Sequence, residues 1–124
     1  MNNDFVIIKN IKLFIYSLDG IVVNIPNRDK VIKDRLYNTS YDILYLVYRC
    51  NFNSENKEEY YKDILSNISM IDFYLERCLK CKYINNKVCE KMSKDLLKIT
   101  KMIYGWIKSE SKCWWYFIYI WETG

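Results

Sequence analysis

A row of lysines near the end of the chain is the clearest chemical signal in the sequence. Between residues 84 and 109, six lysines stand three, four or seven positions apart beside only two acids, a net charge of +4. The six are Lys87, Lys91, Lys94, Lys98, Lys101 and Lys108. Because residues three and four apart share one face of an α-helix, the spacing predicts a stripe of ammonium groups that can neutralise phosphates. The alternative is a solvated helix face without a partner, since lysine is common at exposed helical positions.

A second basic surface is predicted after the single proline, Pro26. Five basic residues and three acidic ones lie between residues 28 and 49, which gives a net charge of +2. The four basic residues nearest to the proline are Arg28, Lys30, Lys33 and Arg35. We name them, with the six lysines, as candidates for binding nucleic acid or a protein partner. The alternative is again an ordinary solvated helix face, on which exposed Asp–Lys pairs contribute little stability.

The residue types that catalysis needs are scarce. The chain has no histidine, so it has no imidazole base, no Ser-His or Cys-His pair and no histidine metal ligand. It has no glycine-rich phosphate loop either. Asp42 and Asp72 stand in apolar or aromatic stretches, and we expect each to be hydrogen-bonded to a tyrosine or a lysine. We therefore predict a binding protein that is not an enzyme, with no catalytic residue and no cofactor.

The cysteines are five in number: Cys50, Cys78, Cys81, Cys89 and Cys113. The odd count, and a start that lacks the basic residues of a secretion signal, predict a reduced, cytoplasmic setting. Cys78 and Cys81 could form a four-cysteine zinc site with Cys89 and Cys113. A second Cys-x-x-Cys pair is missing, however. We therefore predict no metal and expect the cysteines to be buried as small apolar side chains.

The elements that would position these residues are long helices. Three glycines and one proline in 124 residues leave few turn formers, which favours helices over a sheet. Apolar residues recur at helical spacing over residues 5–25, 28–50, 57–81 and 88–108. In the last of these segments we expect one apolar face to be buried opposite the lysines, namely Val88, Met92, Leu96, Ile99, Ile103 and Trp106. We expect Pro26 to end the first helix, Asp19-Gly20 to be a point where that helix could split, and Asn85-Asn86 to end the third. Short connections predict an all-α, antiparallel up-down four-helix bundle over residues 1–109.

An aromatic tail, residues 110–124, follows the predicted bundle. Trp114, Trp115, Tyr116, Phe117, Tyr119 and Trp121 crowd into eight positions. An apolar cluster of that size is rarely left in water, so the tail would fold back on the bundle, lie between subunits or dock a partner. Residues 113–121, the longest apolar run, are too few to span a bilayer, and we predict no membrane insertion.

Several short motifs stand in a fixed order along the chain. The fourth helix ends with Met102-Ile103-Tyr104-Gly105-Trp106-Ile107-Lys108, and the first junction reads Asn24-Ile25-Pro26-Asn27-Arg28-Asp29-Lys30. These resemble the Gly-Trp-(Ile/Leu)-Lys ending and the proline junction of a family of small four-helix proteins. That family contains the accessory variability determinant of diversity-generating retroelements and relatives named after ribosomal-RNA intervening-sequence proteins. Residues 68–79 and 94–108 are similar to its third and fourth helices, and the resemblance covers about residues 10–109.

The resemblance implies a specific function. Family members are homopentameric barrels with a basic surface that associate with a reverse transcriptase and with template RNA or its cDNA. They support mutagenic copying without catalysing it. Pro26, Gly105 and Trp106 would then be structural, and the mid-helix glycine would allow another backbone or a large ring to approach. Two alternatives stay open: a structural or ribosome-associated four-helix protein without a reverse transcriptase partner, and a membrane-surface protein that uses the aromatic tail and lysines.

Overall fold

Four helices make up the described part of the chain. The computed structural model describes residues 2–52, 55 and 57–110, without the side chains of residues 2–5 and 110. The helices are α1 (Asn2–Val22), α2 (Lys30–Phe52), α3 (Lys57–Lys80) and α4 (Asn86–Glu110). A single 3₁₀ turn, Asn27–Asp29, precedes α2, and these described residues contain no β-strand. The predicted all-α fold with four helices is therefore confirmed, while residues 111–124 of the predicted tail lie outside the described residues.

The helices pack in a closed ring of neighbours. α1 contacts α2 and α4, and α3 also contacts α2 and α4. Within the described ranges, neither α1 and α3 nor α2 and α4 contact each other, so they lie diagonally across the bundle. Each helix turns an apolar stripe inward, which gives a core led by Leu18, Leu36, Ile71 and Ile103. The outer faces of α2 and α4 consequently point to opposite sides of the molecule.

The first junction forms three residues earlier than the sequence suggested. α1 ends at Val22, and its last turn closes through bonds from Asn24 N to Ile21 O (3.0 Å) and from Ile25 N to Val22 O (3.1 Å). Pro26 then excludes the helical conformation from the residue before it. Gly20 does not split α1, because the helix continues past this residue to Val22. A side chain at Gly20 would meet open space.

The turn between α3 and α4 contains both a helix stop and a helix start. Tyr83 N donates to Cys78 O and Lys82 N to Leu79 O, the two bonds of a Schellman motif. Lys82 takes the left-handed conformation that this motif needs, with φ 65°. Asn85 then caps α4, because its Oδ1 accepts from the Val88 amide at 2.8 Å. The third helix therefore ends at Lys80, before the Asn85-Asn86 stop that the sequence suggested, and Asn85 instead begins α4 as its capping residue.

Candidate nucleic-acid interface

The six lysines of α4 all lie at the surface. Lys87, Lys91, Lys94, Lys98, Lys101 and Lys108 are exposed. The opposite side of α4 is buried against α1 and α3; it consists of Met92, Leu96, Ile99, Ile103 and Trp106. Val88, which the periodicity placed on this buried side, is instead exposed, and it lines an open groove at one end of the bundle with Gly20 and Asn24. We call the six exposed lysines of α4 the lysine stripe.

Acidic neighbours occupy part of the lysine stripe. Lys91 Nζ lies 2.9 Å from Asp95 Oδ2, and Lys94 Nζ lies 3.1 Å from Glu90 Oε1. Both pairs are exposed and join residues four apart, so each contributes only a few tenths of a kcal/mol (~0.3–0.5) and exchanges readily with solvent or a ligand. Lys87, Lys98 and Lys101 form no ion pair within the described part of the chain. The stripe therefore keeps ammonium groups that can contact an anion.

The second basic surface is separate from the lysine stripe. Arg28 and Arg35 are exposed, Lys33 is half-buried, and Lys30 Nζ lies 2.9 Å from Asp34 Oδ2. These residues belong to the 3₁₀ turn and to α2, and α2 does not contact α4. The ten candidate residues therefore form two surfaces on different helices.

A groove between α1 and α4 runs alongside the lysine stripe. Its volume is about 480 Å³. Its α1 wall consists of Asn10, Leu13, Phe14, Tyr16 and Ser17, and its α4 wall of Lys91, Asp95 and Lys98. Leu13 and Tyr16 are 52% and 68% exposed, although both are large and largely apolar. Sequence reasoning missed this α1–α4 groove, since an exposed Leu and Tyr on an otherwise buried helix were the only signal available.

Asp29 links the first junction to the turn before α4. Tyr83 Oη donates a hydrogen bond to Asp29 Oδ2 at 2.8 Å, and Arg77 Nη2 lies 3.8 Å from the same oxygen. The hydrogen bond to Asp29, and to a smaller extent burial, raises the pKa of Tyr83. Asp29 and Arg77 both belong to the motifs that carry the family resemblance. The contact between Asp29 and Arg77 therefore brings these two motif residues together at one end of the bundle.

Other tyrosines and carboxylates pair differently from the prediction. Asp42 and Asp72 are exposed, and neither forms a hydrogen bond in the described ranges, so the expected tyrosine or lysine partners were wrong. Because both carboxylates are exposed, water can solvate them without a protein partner. Between α1 and α2, the hydroxyl of Tyr37 donates a hydrogen bond to Asp19 Oδ1. Burial and this bond raise the pKa of Tyr37 to about 12.

The cysteines divide by depth. Cys50 and Cys78 are buried as predicted, whereas Cys81 is exposed and Cys89 is half-buried, because the helix end at Lys80 leaves Cys81 in the turn. Burial, followed by the neighbouring Cys81, raises the pKa of the Cys78 thiol to about 11. Cys113 lies outside the described residues. Among those described, no group of three or more His, Cys, Asp or Glu residues is placed to hold a metal ion.

Gly105 and Trp106 have opposite environments. Trp106 is 2% exposed and its ring meets Tyr61 edge-on, with centroids 5.6 Å apart and an interplanar angle of 78°. Gly105 is exposed, and a Cβ there would have no described atom within 4 Å beyond its own helix turn. The close approach that we expected for Gly105 is therefore not made within the described part of one chain. Trp106 packs as a core residue.

Two further observations bear on possible functions. No helix in the described part of the chain has both the length and the apolarity required to cross a bilayer. Comparison with protein-family models, with curated proteins and with solved structures found no match to this chain.

Proposed function

We propose that this chain is a non-catalytic accessory protein of a diversity-generating retroelement that binds RNA through the lysine stripe. The observation that carries the RNA contact is the stripe itself: six exposed lysines on one helix, three of them without an acidic partner in the described ranges. Phosphate contacts by lysine release counterions, which favours binding without requiring a catalytic group. The motif resemblance supports a reverse transcriptase as the protein partner and template RNA or cDNA as the nucleic acid. The odd number of cysteines supports the cytoplasm as the location.

The proposed architecture is an antiparallel bundle that assembles into a ring. Contacts between early and late parts of neighbouring helices support the antiparallel order. The hydroxyl of Tyr37 near the start of α2 donates to Asp19 near the end of α1, and Tyr61 near the start of α3 contacts Trp106 near the end of α4. A homo-oligomer, a pentamer by resemblance, would present several lysine stripes to one RNA. Linked weak contacts then act at high effective concentration.

The RNA contact is tested by the salt dependence of binding. In the full chain, we would change Lys94, Lys98 and Lys101 together to glutamate and measure RNA affinity by fluorescence anisotropy between about 50 and 200 mM salt. Each single-strand phosphate contact contributes about 0.7 to the slope of log affinity against log salt, so three lost contacts would reduce it by roughly 2. The wild-type slope should be steep and that of the variant shallow.

A matched control separates the lysine stripe from overall charge. Lys9, Lys62 and Lys80 are exposed residues of α1 and α3, and changing all three to glutamate alters the net charge by the same amount. We expect this control to keep most of the wild-type slope. Equal loss in both variants would assign binding to net charge, and a flat wild-type slope would reject RNA contact by this protein.

The partner is tested by affinity capture of the full chain from its native host. We expect a reverse transcriptase and its template RNA among the retained molecules, and a neighbouring reverse transcriptase gene with paired template and variable repeats. Recovery of ribosomal particles without a reverse transcriptase would instead support the structural or ribosome-associated alternative.

A further inference from the structure

The α1–α4 groove combines an exposed aromatic ring with positive charge. Tyr16 is 68% exposed on α1, and Lys91 and Lys98 line the facing wall on α4. Lys98 has no ion pair within the described residues, whereas Lys91 is held at 2.9 Å by Asp95. Because Lys91 compensates Asp95, Lys98 leaves the groove with a net positive charge. Tyr16 contacts no other ring among the described residues. An exposed ring beside such a charge is the arrangement found on surfaces that bind unpaired nucleotides.

The opposite side of α4 offers a useful comparison. The groove between α3 and α4 is lined by Ile68, Ser69, Asp72, Ser93, Leu96, Leu97 and Thr100, so its charged residue is an acid and it has no aromatic ring. It therefore lacks both features that an unpaired nucleotide requires. The α1–α4 groove, by contrast, opens directly onto the lysine stripe through Lys91 and Lys98.

We infer that the α1–α4 groove binds single-stranded RNA in preference to a duplex, with a base stacked on Tyr16 and an adjoining phosphate held by Lys98. This inference rests on the proposed RNA-binding function and specifies its substrate. In a duplex the base faces are covered by their neighbours, so a duplex could contact the lysine stripe but could not stack on Tyr16. The groove volume of about 480 Å³ falls within the ~300–1,000 Å³ of sites that enclose small organic groups.

The contribution of the ring sets the size of the expected effect. Removing an aromatic platform from a single-strand site lowers affinity by roughly 5- to 150-fold, because stacking one base is worth about 1–3 kcal/mol. The same change should leave duplex affinity unaltered, since a duplex does not use the ring. Replacement of tyrosine by phenylalanine keeps the stacking face and should preserve single-strand affinity.

The test compares Tyr16→Leu, Tyr16→Phe and Tyr41→Leu in the full chain. Tyr41 is the matched control: it is 53% exposed and lies on α2, which does not contact α4. Each protein would be titrated with an unstructured RNA of about 12 nucleotides and with a duplex of the same length. Circular dichroism melting would establish that the exposed substitutions leave the fold intact. A photoreactive base in the single strand would identify the cross-linked residue.

We expect the wild-type chain to bind the single strand more tightly than the duplex. Tyr16→Leu should abolish this preference, whereas Tyr16→Phe and Tyr41→Leu should retain it. The photoreactive base should cross-link to Tyr16. Equal affinity for strand and duplex, with no effect of Tyr16→Leu, would overturn the groove inference while leaving RNA contact by the lysine stripe intact. Absence of RNA binding by the wild-type chain would reject the proposed RNA contact together with this inference.

Discussion

Removing the Trp106 ring tests the central packing of the bundle. Trp106 is 2% exposed, stands near the end of α4 and meets Tyr61 of α3, which is itself fully buried. Trp106→Ala would leave a cavity between these two helices and expose the edge of the Tyr61 ring. The loss therefore affects the contact between α3 and α4 rather than a surface feature of the molecule.

The expected cost follows from the depth of the ring. Large-to-small changes at buried Phe and Trp positions cost about 3–5 kcal/mol. The edge-on pair with Tyr61 places Trp106→Ala toward the upper part of that range, since such aromatic pairs add about 0.5–1.5 kcal/mol beyond area burial. A small domain has only about 5–15 kcal/mol of stability in total. We therefore expect the melting temperature to fall by on the order of 10–20 °C.

Urea unfolding followed by circular dichroism would measure this loss. Trp106→Phe provides a milder variant that keeps a ring and should recover part of the stability. Leu97→Ala is the control on the same helix: Leu97 is 52% exposed, and its truncation should change stability by no more than about 0.5 kcal/mol. A Trp106→Ala protein that unfolds at the wild-type urea concentration would refute the placement of this ring in the core.

Three further predictions concern individual sites. Gly105→Ala should raise the free energy of unfolding by up to about 1 kcal/mol, measured in urea, because a Cβ meets open space and alanine favours a helix. If a second copy approaches Gly105, Gly105→Leu should change the mass of the oligomer measured by light scattering. Tyr37 carries a pKa of about 12, above its unfolded value near 10, so the free energy of unfolding should fall as the pH rises from 10 to 12. Removing the hydroxyl (Tyr37→Phe) should weaken that fall, and a variant with the wild-type pH profile would contradict this role of Tyr37. Iodoacetamide should label Cys81 rapidly in the native protein and Cys78 only after unfolding, as read by mass spectrometry.

Local rules predicted the helices and the exposure of their faces. The spacing of the α4 lysines is a property of one helix, so their common exposure followed from periodicity alone. Pro26 acts within its own turn and was recognised for the same reason. The prediction failed at Val88 and Gly105, where the outcome depends on what lies opposite. Nothing in the spacing of α4 indicates whether a neighbouring helix covers those positions.

The sequence alone therefore determined four amphipathic helices, the positive charge of the last one and the absence of histidine chemistry. Only the tertiary structure decided which side chains of neighbouring helices meet. It joined Tyr83 to Asp29 across 54 positions and brought Tyr16 of α1 to the groove beside Lys98 of α4. The physical reason is that helical periodicity is fixed by backbone geometry within a few residues. Contacts between helices arise when complete apolar faces pack together, and that packing selects the side chains that meet at each groove.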